Sequence, residues 1–236
     1  IFVTDDGGTR FRGSSLVDYV NWLNNMDITS QQLLQGSAGG KKSTYIEDVY
    51  KSYPYKGTGG TDQNITTGLD IDGDGGLVWV KNRTDAAAHT LQDSLVGDNK
   101  YISTSSANGT GENTTRIKTI TSTGFQVGDD SDTGASTKKY ASFNFKKKKA
   151  FFDLVEYTGN SDATQTLSHD LGCVPGCFML KSFSVNGDWR VWHRSIQPNT
   201  KDYGITLNGY SATYGTIDEF GSTDPTATQF TVGGNK

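Results

Sequence analysis

Three carboxylates at alternate positions, Asp70, Asp72 and Asp74, followed by Gly75, have the spacing that opens a calcium-binding loop. In such a loop alternate oxygens converge on the ion and a glycine permits the sharp bend. The twelfth position, where a bidentate glutamate belongs, is Lys81, so an acidic β-turn is the favoured reading and calcium the lesser one. No other cofactor is expected.

The densest aromatic and basic cluster is Trp189, Arg190, Trp192, His193 and Arg194. On a strand, Trp189, Val191 and His193 face one way while Arg190, Trp192 and Arg194 face the other. One face must be core, so at least one indole is expected to be structural. The other face, or Trp79 further upstream, is a candidate for stacking on a sugar ring or contacting a neighbouring chain.

Catalysis finds less support. His89, His169 and His193 lie in no nucleophile or metal-ligand pattern, and no glycine-rich phosphate loop is present. Asp153 and Glu156 are a carboxylate pair by sequence only, whereas glycosidases need two carboxylates at a set separation in space. Cys173 and Cys177 are too few for a disulfide framework or a zinc site and read as thiols used as small apolar residues. The protein is not expected to be an enzyme.

Net charge of −4 and a pI near 5.3 argue against a general nucleic-acid binder. The local exception is Lys146 to Lys149, read as a solvated strand end and linker in preference to a polyanion contact. No apolar run reaches the roughly 18 residues of a membrane span, so membrane insertion is not expected.

The elements that position these residues come in two copies. Gly76-Leu77-Val78-Trp79-Val80-Lys81 is answered by Gly176-Cys177-Phe178-Met179-Leu180-Lys181. Tyr55-Lys56-Gly57 matches Tyr157-Thr158-Gly159, and Gly68-Leu69 matches Asp170-Leu171. Leu91 with Ser94 is aligned with Trp192 and Ser195, and Tyr101-Ile102-Ser103 with Tyr203-Gly204-Ile205. Phe125-Gln126-Val127-Gly128 matches Phe230-Thr231-Val232-Gly233. This collinear series implies an internal duplication. The first copy continues into the alternating run Tyr140 to Phe145, and the second ends before its counterpart. With Ile1 in place of a methionine, the chain reads as a segment of a longer polypeptide.

Glycine, 29 of 236 residues, adds about 12% to the 33% hydrophobic fraction, enough for a core. Short strand candidates recur between turn signals such as Asn186-Gly187, which predicts an all-β chain of sandwich or barrel type. Tyr45 to Tyr50 suit a strand or a poor helix ended by Tyr53-Pro54-Tyr55. Residues 103–115 read as a surface loop, and Phe151, Phe152, Leu154, Val155 and Tyr157 as the opening of the second copy. Upstream, Ile1-Phe2-Val3 is a candidate strand. Leu16, Tyr19, Val20, Leu23 and Met26 have helical spacing, capped by Ser14 or Ser15. Trp22 and Val17 make the helix's opposite flank apolar, a surface for oligomerisation. A short helix at 31–34 and a flexible linker at 35–40 follow.

Several runs resemble a module found in tandem in structural proteins of marine bacteriophages. They are Gly76 to Arg83, Tyr157 to Asn160, Leu167 to Gly176, Trp189 to Ser195 and Phe230 to Gly233. Those proteins are read as tail-fibre or tail-spike-like components, some joined to concanavalin-like lectin domains. The resemblance covers about residues 45–236 and brings no catalytic residues with it. The expectation is an all-β chain of tandem β-sandwich modules, jelly-roll or lectin-like. A helical attachment segment at 1–42 would precede a first module at 43–149 and a second, truncated one at 150–236. The expected function is that of a virion tail fibre, spike or appendage subunit that attaches to the host surface. It would be a homo-oligomer, a trimer by preference, with other virion proteins and a host-surface glycan as partners and no nucleic acid. The alternatives are a carbohydrate-binding module using Trp79, Trp189 or Trp192, and a capsid decoration or tail-tube protein.

Overall fold

The structure, a computed structural model, describes residues 44–196, 203–209, 214–215, 220–221 and 223–233. The expected helix with Leu16, Tyr19, Val20, Trp22, Leu23 and Met26 lies outside the described residues, as do the candidate strand at 1–3, the helix at 31–34 and the linker at 35–40. The described chain is all-β. After one 3-10 turn at Ile46–Asp48 every regular element is a strand, and the strands form several antiparallel sheets.

In the first half the strands are β1 (Tyr50–Lys56), β2 (Gln63–Thr66), β3 (Gly76–Asn82), β4 (His89–Asp93), β5 (Lys100–Tyr101), β6 (Gly111–Glu112), β7 (Ile117–Thr121), β8 (Gly124–Val127) and β9 (Lys139–Lys146). One sheet has the order β1-β9-β3-β4, a second β2-β8-β7, and β5 pairs β6. Alternation along β3 and β9 sends Val78, Val80 and Tyr140 to one face, where each is fully buried. They share a core with Ile65, Ile117, Phe125 and Val127 of the second sheet. Between them sit buried amides that borrow main-chain partners: Asn144 Nδ2 donates to the Lys51 carbonyl at 2.9 Å and Gln92 Nε2 to that of Gly97 at 2.6 Å.

The Tyr53-Pro54-Tyr55 run does not end an element as expected. β1 passes straight through it, Pro54 opposite Ala141. β1 is the outermost strand of its sheet, where a missing N–H costs no ladder bond.

The second half has β10 (Thr164–Ser168), β11 (Cys177–Leu180), β12 (Arg190–His193), β13 (Tyr203–Thr206), β14 (Tyr214–Gly215) and β15 (Gln229–Gly233). The sheets are β10-β15 and β11-β12-β13-β14. Leu167, Phe230 and Val232 form one buried cluster and Trp192 with Phe220 another, joined by Phe178 and Leu180. Phe178 stacks on Trp192 with ring centroids 5.0 Å apart and meets Phe220 edge-on at 5.4 Å.

The duplication is visible in hydrogen bonds as well as in letters. β2–β8, β3–β4 and β5–β6 are repeated by β10–β15, β11–β12 and β13–β14. Gln63 and Gln165 each donate Nε2 to the carbonyl seven residues back, those of Lys56 and Thr158. The Thr67 and His169 amides donate to the Thr123 and Thr228 carbonyls, and the Ser94 and Arg194 amides to those of Gly76 and Gly176. Lys81 and Lys181 each reach the carbonyl six residues on, Ala87 at 2.5 Å and Gly187 at 2.6 Å.

These bonds correct two of the sequence alignments by one residue. Leu91 lies opposite Trp79 and Val191 opposite Met179, so Leu91 corresponds to Val191 and Ser94 to Arg194. Likewise Ile102 bridges Leu91 while Ile205 pairs Val191, so Ile102 corresponds to Ile205. A one-residue slip exchanges the two faces of a strand. The identical letters Ser94/Ser195 and Tyr101/Tyr203 pull the alignment away from the register.

Candidate functional site

Of the residues singled out in the sequence, Trp189 enters a seam between the two halves and Trp79 packs against it. Trp189 precedes β12 and, on the same face as Val191, projects against Leu77, Leu91 and Ile102 of the first half. Its indole N–H donates to the Ser103 carbonyl at 2.8 Å, which satisfies the one polar atom of a buried ring. Trp79, Phe145, Phe152, Phe183 and Leu207, each partly buried, pack against this cluster. Burial of an indole, roughly 200 Å² at about 25 cal/mol/Å², contributes on the order of 5 kcal/mol before ordering costs.

Main-chain and side-chain bonds surround that apolar centre. Lys181 Nζ and the Gly187 amide both donate to the Ala107 carbonyl, at 2.9 and 2.8 Å. The Thr110 amide donates to Phe183 O at 3.0 Å and the Gly109 amide to Asn186 Oδ1 at 3.1 Å. The 103–115 segment, read from sequence as a surface loop, is therefore the receiving wall of the seam. Its Ser, Gly and Thr residues bring carbonyls and amides close to the partner hairpin, and Ser103 and Thr104 are buried.

Trp189 and Trp192 are only 5% and 3% exposed, which removes both as sugar-stacking platforms. Alternation along β12 requires at least one covered face. In fact both faces are covered, one by the first half and one by the second half's own core. Arg190 is half-buried and donates to Thr206 Oγ1 at 3.1 Å, and His193 is exposed, its Nδ1 accepting the Ser195 amide.

Trp79 is the remaining indole among the described residues and is half-buried. Its N–H donates to His89 Nδ1 at 2.9 Å, and Phe143 meets it edge-on at 6.3 Å. An indole nitrogen only donates, so His89 accepts with an unprotonated nitrogen. Burial, and then the Lys81 ammonium, holds the imidazole below its ordinary value and favours that neutral form.

The acidic loop does not gather a cation cage. Asp70 Oδ1 accepts the Gly73 amide at 3.0 Å, and Asp74 pairs with Lys146 at 2.8 Å. Among the described residues no three His, Cys, Asp or Glu side chains converge as metal ligands, and Asp70, Asp72 and Asp74 lie in a turn. Cys173 and Cys177 are free thiols.

Asp153 and Glu156 do not act as a pair. Asp153 accepts the Asp170 amide at 2.7 Å and binds Lys147 at 2.9 Å, while Glu156 lines a shallow cleft with Lys100 and Glu112. Two of the four consecutive lysines, Lys146 and Lys147, are thus held by carboxylates, and Lys148 and Lys149 are exposed. Among the described residues no helix is long and apolar enough to cross a membrane.

What sequence reasoning missed is the receiving wall, and above all Ser103 and Ala107. They act through main-chain carbonyls, which residue types do not mark.

No curated protein and no solved structure matches this chain. The profile of a domain of unknown function, DUF7483, matches residues 42–236, most of the chain, and the protein therefore belongs to the DUF7483 family.

Proposed function

We propose that the protein is a bacteriophage virion structural component, a tail-fibre, spike or appendage subunit, and not an enzyme. Each half is a β-sandwich module, 43–149 and 150–236, and the segment at 1–42 docks on the particle or assembles the oligomer. The observation that carries this reading is the repeated hydrogen-bond pattern, whose two copies are joined through Trp189. Serial modules locked side to side suit an extended load-bearing protein, in which each unit rests on its neighbour. The runs shared with tandem phage modules speak for the same assignment. The protein would be found on the extracellular particle, with other virion proteins and the host surface as partners.

Light scattering at two concentrations tests the reading. A stable trimer is expected. A monodisperse monomer that fails to associate with particles would overturn it.

The second reading, a glycan-binding module, is favoured by the half-buried Trp79 beside His89 and Phe143. A glycan array with the intact chain and with Trp79→Ala decides it. Binding lost in a variant that still folds supports a lectin, and the absence of any binding removes it.

A further inference from the structure

The two halves differ by one strand. In the first, β3 is hydrogen-bonded on both sides, to β4 and to β9. Its counterpart β11 is bonded to β12, and among the described residues no strand lies on its other side. The Arg194 amide donates to the Gly176 carbonyl, so by antiparallel alternation Phe178 and Leu180 bond to β12. The main-chain groups of Cys177 and Met179 point to the open side. In β3 the same positions, Leu77 and Trp79, face β9.

Four observations agree with a vacant slot of β9 shape. Val78 and Val80 are fully buried, whereas the matching Phe178 and Leu180 are half-buried. Tyr55 stacks on the buried Tyr140 of β9, centroids 5.2 Å apart, while the matching Tyr157 is 40% exposed. β1 has β9 as its ladder partner, and residues 152–158, its counterpart, form no strand. Finally, a Cβ on Gly76 would collide with the Phe145 carbonyl of β9 and with Ile71, whereas a Cβ on Gly176 would meet nothing nearer than the Arg194 guanidinium at 3.7 Å. A glycine stands at both positions, though only the first is crowded.

We infer that the β11 edge is an acceptor for one further antiparallel strand, which would bridge β11 to residues 152–158 as β9 bridges β3 to β1. Exposed edges recruit strands through main-chain bonds, and alternate side chains set the specificity. The occupant has the pattern of β9, with an aromatic hydroxyl and small polar side chains inward, as Tyr140, Ser142 and Asn144 are, and apolar groups outward. Its source is a segment downstream of β15 in the same polypeptide. In the first half the inserted strand arrives from β8 through residues 128–138, and β15 is the counterpart of β8.

The test uses the chain as it stands, a synthetic peptide of the Lys139–Lys146 sequence, and a chain in which an 11-residue linker and that sequence follow Lys236. Hydrogen exchange is read residue by residue. In the fused chain the Cys177 and Met179 amides should exchange at least about tenfold more slowly, and residues 152–158 should gain protection. The free peptide should do the same at saturating concentration. A peptide with Lys at the three inward positions should not.

No protection in either format overturns the proposal. So does loss of protection at Leu77 and Trp79, which would mean the peptide merely displaces β9. Protection at Cys177 and Met179 that rises with the concentration of the chain alone would assign the edge to a second copy instead. Met179→Pro removes the outward amide and should abolish the effect. Where that variant fails to fold, the lysine-bearing peptide is the control.

Discussion

The Trp189 indole N–H donates to the Ser103 carbonyl at 2.8 Å, a bond that joins residues 86 positions apart and closes the seam between the halves. Removing the donor while keeping an aromatic ring leaves a buried carbonyl without its partner. Trp189→Phe is therefore expected to cost about 1–2 kcal/mol, and Trp189→Ala about 3–5 kcal/mol through the cavity as well. Urea unfolding measures both. A change under a few tenths for Trp189→Ala would mean the seam contributes nothing to stability.

Lys81 and Lys181 close equivalent turns but carry unequal loads. Lys81 reaches one carbonyl, Ala87; Lys181 reaches Gly187 in its own hairpin and Ala107 across the seam. Lys81→Met should cost about 1 kcal/mol and Lys181→Met about 2 kcal/mol, since two carbonyls lose a charged donor. Equal costs in thermal unfolding would argue that the Ala107 contact is idle.

Acidification should weaken the Trp79–His89 bond. His89 in the folded chain titrates below its ordinary value of 6.5, so between those two pH values the unfolded chain holds more protons. The stability this group contributes is complete above about pH 6.5 and is lost as pH falls through the folded value. His89→Gln should flatten the fall in melting temperature between pH 7 and 5. An unchanged slope would show that the imidazole does not couple to folding.

Arg116 is the cation of a half-buried cluster. Its Nη2 lies 2.6 Å from Asp132, its Nε 3.4 Å from Asp130, and its guanidinium carbon 4.1 Å above the Tyr101 ring. Burial pushes the Asp132 carboxyl up even with the arginine beside it. Arg116→Met should cost about 3 kcal/mol by leaving two carboxylates without their cation. Arg116→Lys should recover only part, because an ammonium cannot fork between two carboxylates and lie flat on a ring. Full recovery by lysine, read from denaturant midpoints, would reduce the cluster to simple charge.

Strand positions and the duplication were legible in the sequence because they are written in apolar alternation. β3 and β9 fall where the Val/Trp and Tyr/Phe patterns put them. The errors have physical causes of their own. The shared letters Ser94/Ser195 and Tyr101/Tyr203 pull the alignment one residue off register because letter identity does not record which face a residue takes, and Tyr53-Pro54-Tyr55 continues β1 where a proline reads as a stop because an outermost strand tolerates it. The seam was half legible: Trp189 was singled out as chemistry, but its partner is a main-chain oxygen of Ser103 and has no letter. Asp70, Asp72 and Asp74 show the converse, a pattern of letters without convergence in space.

The position of β9 also bears on how the protein is made. Tyr50 pairs with Phe145, so the first strand of that sheet waits for a strand synthesised some 90 residues later, and β3 waits with it. A ribosome that has exposed residues 44–138 carries a sheet with a gap in its middle, in which apolar edges are open to neighbouring nascent chains on the same message. The eight residues of β9 then pair with both edges of that gap at once. Limited proteolysis of stalled chains exposing residue 138 or residue 149 should show an abrupt gain of resistance, and a gradual gain would mean the sheet assembles without its central strand.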